Sequence, residues 1–147
     1  MPTKRGRIPD EQTLQRKRLA ALAELRTVLA DLDGLSVGRV SYRTGRMIIW
    51  LRPRDSQEPV MAIKLRKVVA FRDNGIGGTR LTYGSVVEGG VWGRNLAETC
   101  SRPELETYFQ LDLWNNISKN GPAFQALARD VRIYQGASLS PDQIWRS

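Results

Sequence analysis

The order of periodic patterns along the chain predicts a single α+β domain: an N-terminal amphipathic helix, an antiparallel meander of four to five strands, and C-terminal helices. Three observations support this class: leucines at helical spacing, then alternating apolar and polar residues, then a return to helical spacing. With 147 residues, 41% of them hydrophobic, the chain is long enough to bury one core. We expect a basic arm over residues 1–8 and one domain over 9–147, with basic helix and sheet over 9–94 and a helical part over 95–147.

The first helix is predicted to begin near Pro9 or Asp10 and to reach Leu32. Proline suits the first helical position, and an acidic residue there favours the helix dipole. One face carries leucines at three- and four-residue steps: Leu22, Leu25, Leu29 and Leu32. This spacing is typical of a helix that buries one side, and Asp33-Gly34 is expected to end it.

A β meander is predicted next. The four strands are expected over residues 37–43, 46–52, 60–72 and 80–87. Thr44-Gly45 lies between the first two and predicts a tight hairpin turn. Val91-Trp92 is a candidate for a short final strand. Alternation places apolar side chains on one face of this sheet and arginine and lysine side chains on the other.

The last third of the chain is predicted to be helical. Leu105, Phe109, Leu113 and Ile117 follow one another at four-residue steps after a capping box formed by Ser101 and Glu104. A second helix is expected after a break at residues 120–122, and its apolar side carries Phe124, Leu127, Val131 and Tyr134. Ser140-Pro141 is expected to open a short last turn that carries Ile144 and Trp145.

The charge is unevenly distributed. The chain has 23 basic and 15 acidic residues, a net charge of +8. Residues 1–72 hold sixteen bases and seven acids, whereas residues 73–147 hold seven bases and eight acids. A basic half of this kind attracts polyanions such as nucleic acid, and anionic membrane surfaces respond to the same field. Eighteen of the bases are arginines, which suits phosphate binding, although a GC-rich genome produces the same bias.

Composition excludes several classes of function. The chain has no histidine, which removes Ser-His-Asp and Cys-His catalysis and most zinc chemistry. Its one cysteine, Cys100, excludes an intramolecular disulfide and a cysteine-built metal site. No apolar run is long enough to span a bilayer or to act as a secretory signal, so we expect an intracellular protein or a virion component. No catalytic residue, cofactor or metal ligand is predicted.

The sequence Asp-Asn-Gly-Ile-Gly at residues 73–77 follows an apolar strand and resembles the aspartate-glycine box of the GHKL ATPases, the family of histidine kinases and gyrase. The resemblance implies that Asp73 would contact the adenine amine of ATP. It covers five residues, and no asparagine precedes Asn74 to supply the magnesium ligand of that family. A hairpin turn from Asp73 to Gly75 accounts for the same residues, and a hairpin turn is our prediction.

We therefore predict a non-enzymatic DNA- or RNA-binding protein that contacts phosphates through its arm, first helix and basic sheet face. Trp50 is included as a platform on which a base could stack. The predicted contact residues are Lys4, Arg5, Arg7, Arg16, Lys17, Arg18, Arg39, Arg43, Arg46, Trp50, Arg52, Lys64 and Arg66.

Two alternatives stay open. One is a small structural or interaction subunit of a larger assembly, such as a phage particle or a nucleoprotein complex, or an inhibitor of such a complex. The other is a magnesium-dependent enzyme acting on nucleic acid, which would need acidic residues to converge in a cleft. The candidate acids are Glu98, Glu104, Glu106 and Asp112. Asp55 followed by Lys64 faintly resembles the PD-(D/E)xK nucleases, although Ala62 stands where their second acid is needed.

Overall fold

Two four-stranded antiparallel sheets enclose one apolar core in the computed structural model, which describes residues 10–136 and 139–147. The elements are α1 (Glu11–Leu29), β1 (Leu35–Arg43), β2 (Arg46–Pro53), β3 (Met61–Arg66), β4 (Ala70–Asp73), β5 (Leu81–Glu88), α2 (Val91–Thr99), a 3-10 helix (Pro103–Thr107), β6 (Phe109–Asn115), β7 (Phe124–Ala128), β8 (Asp130–Gln135) and α3 (Pro141–Arg146). The strand order is β1-β2-β3-β8 in the first sheet and β4-β7-β6-β5 in the second. The α+β class is confirmed, with eight strands instead of four to five.

The N-terminal helix is confirmed. Asp10 caps α1, because its Oδ1 accepts a hydrogen bond from the Thr13 backbone N–H at 2.7 Å, which lowers the pKa of the Asp10 carboxyl. The leucine face packs against β8 and β5 and contributes Leu22 and Leu25 to the core. The helix ends at Leu29, three residues before the predicted end. The predicted arm with Lys4, Arg5 and Arg7 lies outside the described residues.

The predicted hairpin is also confirmed. β1 and β2 pair up to Arg43 opposite Arg46, with Thr44 and Gly45 at the turn. Both turn residues have positive φ angles, +33° and +77°, as the tight two-residue turns of hairpins require. The sequence signal was local here, and local backbone preference was sufficient to place the turn.

The predicted third strand over residues 60–72 is wrong, because the segment divides between the two sheets. β3 belongs to the first sheet and β4 to the second. The chain turns at Lys67, whose φ is +53°, and the Val69 N–H then donates to the Leu127 carbonyl of β7. Apolar residues continue through this crossing because Val68 still packs into the shared core, and the alternation therefore hides the break.

The two long C-terminal helices predicted after Ser101 are wrong: β6, β7 and β8 occupy most of these residues. Phe109 and Leu113 are four residues apart, a spacing that fits a strand as well as a helix. Leu111 is buried between them, so β6 alternates strictly between buried and half-buried residues. Ser101 has a φ of +53° and forms no capping box. Val91-Trp92 begins α2 and is not a strand.

A helical layer covers part of the outer face of each sheet. The predicted short last helix is confirmed as α3, and Ile144 packs with Ile48 and Tyr134 on the first sheet. On the second sheet, α2 and the 3-10 helix bury Ala97 and Leu105 against Leu127. Among the described residues, no helix is both long and apolar enough to cross a membrane.

Candidate nucleic-acid interface

The outer face of the first sheet gathers basic side chains from all four strands. Directly paired residues of neighbouring strands share a face, and the register aligns Arg43 with Arg46 and Arg46 with Arg66. The next row on the same face aligns Lys64 with Arg132. The predicted sharing of one face by Arg43, Arg46, Lys64 and Arg66 is therefore confirmed. Arg132 was not predicted there, because its segment was expected to be helical.

The strands of the two sheets differ strongly in charge. Those of the first sheet carry seven bases and one acid: Arg39, Arg43, Arg46, Arg52, Lys64, Arg66, Arg132 and Asp130. Those of the second sheet carry one base and three acids: Arg72, Asp73, Glu88 and Asp112. A positive field is thus concentrated on one side of the molecule, where it can attract a polyanion.

The middle of this basic face is covered by α3. Lys64 is completely buried, and its Nζ donates to the Ile144 and Ser147 carbonyl oxygens at 2.6 and 2.5 Å. Arg46 Nη1 donates to the Trp145 carbonyl at 3.1 Å. Cations at the carbonyl end of a helix are favoured by its dipole. The prediction of Lys64 as a surface contact is wrong, because α3 occupies its donors.

Burial and neighbouring arginines change the chemistry of Lys64. Removal from water is the larger cause, and repulsion from Arg66, Arg46 and Arg132 adds to it, so the pKa of Lys64 falls to about 8. Arg43 lies beside the same helix, with its guanidinium carbon 4.3 Å from the centre of the Trp145 ring. The basic face therefore holds α3 through backbone carbonyls and an aromatic ring.

An open groove runs along the edge of this face, beside β1 and the end of β2. One cleft of about 450 Å³ is lined by Gly38, Arg39, Trp50, Arg52, Gln57, Pro59 and Gly78. A second cleft of about 300 Å³ is lined by Ser36, Arg52, Arg54, Gly78, Thr79, Arg80, Asn116 and Ile117. Arg52 and Gly78 line both, so the two clefts adjoin. We call them together the arginine groove, after Arg39, Arg52, Arg54 and Arg80.

The wall of the groove is built by a turn folded onto a bulge. β1 bulges at Gly38, between Val37 and Arg39. The Gly78 N–H donates to the Val37 carbonyl at 2.7 Å, and Gly78 has a φ of +80°, which favours glycine. Asp73 Oδ1 accepts from the Gly75 and Ile76 N–H groups at 3.0 Å and closes a turn. The predicted hairpin is wrong, because β4 and β5 on either side of this turn lie at opposite edges of the second sheet.

Within the described part of the chain, most N–H donors of the groove arginines have no hydrogen-bond acceptor. Arg52 Nη1 donates to the Ser56 carbonyl at 3.2 Å, and the Arg39 guanidinium carbon lies 5.3 Å from the centre of the Trp50 ring. No acidic side chain among the described residues lines either cleft. Among all described residues, the one ion pair within 4 Å is the pair of Arg102 and Glu104. The groove is therefore positive without an internal counter-charge.

Trp50 does not present an open ring. The side chain is only 4% exposed, so the prediction of a surface stacking platform is wrong. Its indole Nε1 is buried and finds no hydrogen-bond acceptor among the described residues. The alternation of β2 correctly put Trp50 on the face of Arg46 and Arg52. It could not show that α3 packs over that face.

The basic cluster on α1 divides by role. Arg16 and Lys17 are exposed. Arg18 donates from Nε to the Arg129 carbonyl at 3.1 Å and from Nη2 to the Thr107 carbonyl. Arg18 therefore fastens α1 to the rest of the fold, and its donors are engaged by the protein itself.

Two groove residues were missed by the sequence reasoning. Arg54 follows the end of β2 in a loop, and Arg80 lies in the half of the chain that has no basic excess. They meet because Arg80 precedes β5, and Ser36 of β1 bridges to Arg80 at that point. No local pattern reports such a contact between the two sheets.

Of the four acidic candidates, Glu98 and Glu106 line one cleft together with Arg94, and the other two are engaged elsewhere. Glu104 pairs with Arg102 at 2.8 Å, and Asp112 accepts hydrogen bonds from Gln110 and Gln125. The described residues form no cluster of three or more acids or cysteines that could hold a metal ion. Within the described residues, the magnesium-enzyme alternative therefore has two acids on one cleft and no third ligand beside them.

No protein-family model, curated protein or solved structure matches this chain. The chemistry of the groove is therefore judged from its own residues. Planar guanidinium groups donate hydrogen bonds in pairs and suit phosphate oxygens, and they stack on aromatic and base rings. A concave, uncompensated row of arginines is suited to a chain of phosphates, and no side chain in it is arranged as a nucleophile with a base.

Proposed function

We propose that this protein binds nucleic acid through its phosphates, with the arginine groove and the adjoining arginines of the first sheet as the contact surface. The observation that supports this most strongly is the seven-to-one excess of bases over acids in the first sheet, against one base and three acids in the second. Charge asymmetry of this size on strands that share one core favours a polyanionic ligand on one side.

The accessible part of the surface lies beside α3. Arg46 and Arg52 lie at the two ends of β2, but α3 covers the middle of the face between them. The phosphates would therefore be bound at Arg52 and along the arginine groove. Arg54 and Arg80 extend the surface beyond the end of the strand.

The proposal is tested by fluorescence anisotropy with labelled single-stranded DNA, duplex DNA and RNA at several salt concentrations. We expect log affinity to fall linearly with log salt. Replacing Arg54 and Arg80 by glutamine should weaken binding and reduce the slope by about 1.4 on a single strand, at about 0.7 per phosphate contact.

A matched control removes the same charge elsewhere. Arg72 lies on β4 of the second sheet, and Arg94 lies on α2 beside Glu98 and Glu106. The double variant Arg72→Gln/Arg94→Gln should keep the wild-type slope. Equal losses in both double variants would show a diffuse charge effect and no groove. Absence of binding at low salt would refute the proposal and favour an acidic protein surface as the partner.

A further inference from the structure

Trp50 carries a donor that the described part of the chain leaves unused. An indole has one N–H and no acceptor, so it can be satisfied only by an acceptor atom brought to it. The Trp50 side chain is 4% exposed, and its Nε1 has no hydrogen-bond partner among the described residues. Buried donors in folded proteins are nearly always paired, which makes this N–H a place where a ligand atom is expected.

The unused donor belongs to a residue that lines the larger cleft of the arginine groove. The other polar side chains on this cleft are those of Arg39, Arg52 and Gln57. Gly78 leaves one part of the wall without a side chain, which permits a ligand to approach the backbone closely, whereas the Arg52 side chain occupies the space beside Gly38. The cleft therefore brings cations, an amide and bare backbone together, and one of its lining residues carries the unused N–H donor beneath the surface.

The size of the cleft indicates what it takes. Its volume of about 450 Å³ lies within the range of small-molecule sites, about 300–1,000 Å³. An inorganic phosphate would leave most of this space empty. A nucleotide would place its phosphate against the arginines and offer base acceptors to the indole N–H. The chain of phosphates would continue into the adjoining cleft at Arg54 and Arg80.

We infer that the cleft beside Trp50 receives one unpaired nucleotide, so that the groove binds a single strand in preference to a duplex. The inference rests on the proposed function and adds the strand type and the position of one base. A base inside a duplex would have to be unpaired and unstacked before it could enter, at a cost that a single strand does not carry.

The first test follows the indole N–H signals of the unmodified protein by NMR. The chain has four tryptophans, and replacing Trp92, Trp114 and Trp145 by phenylalanine in turn assigns Trp50 by elimination. The ligands are a ten-nucleotide single strand, a blunt duplex of the same length and a mononucleotide. We expect the Trp50 signal to shift at saturation with the single strand, to stay in place with the duplex, and to need a far higher concentration of the mononucleotide.

The second test measures affinity. Trp50→Phe keeps an aromatic ring under Arg39 and removes the N–H, so single-strand affinity should fall about fivefold, the value of about one hydrogen bond. The salt slope should not change, because no cation is lost. Trp92→Phe, in the apolar cluster under α2, is the control and should leave affinity unchanged.

The outcomes separate this inference from the proposed function. An unmoved Trp50 signal with a saturating single strand would overturn the inference while nucleic-acid binding stands. A duplex that binds as tightly and shifts the same signal would also overturn it, as would a mononucleotide that binds as tightly as the oligonucleotide. If no oligonucleotide binds at low salt, the proposed function fails as well.

Discussion

The two sheets have the same number of strands and share one core, yet their outer faces are covered in different ways. The first sheet is covered by the six residues of α3, held by Lys64 and Arg46 at its carbonyl end. The second is covered by the nine residues of α2 and by the 3-10 helix, which pack through apolar contacts. The smaller cover, α3, leaves arginines exposed around it. The larger cover, α2 with the 3-10 helix, buries an apolar surface of the second sheet.

The comparison of the two sheets also locates the basic residues more accurately than a comparison of the N- and C-terminal halves of the sequence does. β8 comes from the half with no basic excess, yet it joins the first sheet and adds Arg132 to its basic face. β4 comes from the basic half and joins the second sheet. The charge difference is therefore a property of the sheets, and the sequence halves reproduce it only in part.

The largest expected effects come from removing the apolar anchor of each cover. Ile144→Ala and Leu105→Ala should each lower the free energy of unfolding by about 2–5 kcal/mol, because both side chains are almost completely buried. Urea denaturation measures both. If Ile144→Ala lost less than about 1 kcal/mol while Leu105→Ala lost more, then Lys64 and Arg46, and not apolar packing, would hold α3. The two covers would then differ more than we argue.

Part of this architecture could be predicted from sequence because the signals are local. The leucine face of α1, the Thr44-Gly45 turn and the short helix at Pro141 all follow from neighbouring residues. The shared face of Arg43, Arg46 and Arg66 follows from alternation. In β6 the apolar spacing satisfied both helix and strand periods, and only pairing with β5 and β7 decides between them.

The candidate site was predicted less completely, for a different reason. Arg39 and Arg52 were found because they belong to the basic face of a predicted strand. Arg54 and Arg80 were missed because their proximity depends on the bridge between the two sheets. Lys64 and Trp50 lie on the correct face but are buried by α3, which is separated from them by roughly half of the chain.

A smaller effect is expected from close packing in the second cover. Gly93 lies inside α2, and a Cβ there would be 2.8 Å from the Leu105 carbonyl oxygen, a backbone atom that cannot rotate away. Alanine is the better helix former by about 1 kcal/mol, but overpacking should win, with a net loss of about 1–3 kcal/mol. Asn95→Ala, at an exposed position of the same helix, is the control and should not destabilise. A stabilised Gly93→Ala variant would show that the 3-10 helix can move away.

The smallest expected effect is a pH dependence specific to the first cover. The pKa of Lys64 falls from 10.5 to about 8 in the folded protein. Between these values the unfolded chain holds more protons than the folded one, so this residue makes stability rise with pH. The rise should be on the order of 1 kcal/mol from pH 7 to pH 9. Lys64→Met lacks the titrating group, so the unfolding free energy of the wild type minus that of the variant should increase from pH 7 to pH 9. Parallel profiles would show that Lys64 keeps its proton in the folded state, held by the carbonyl oxygens of Ile144 and Ser147 against the repulsion of the surrounding arginines.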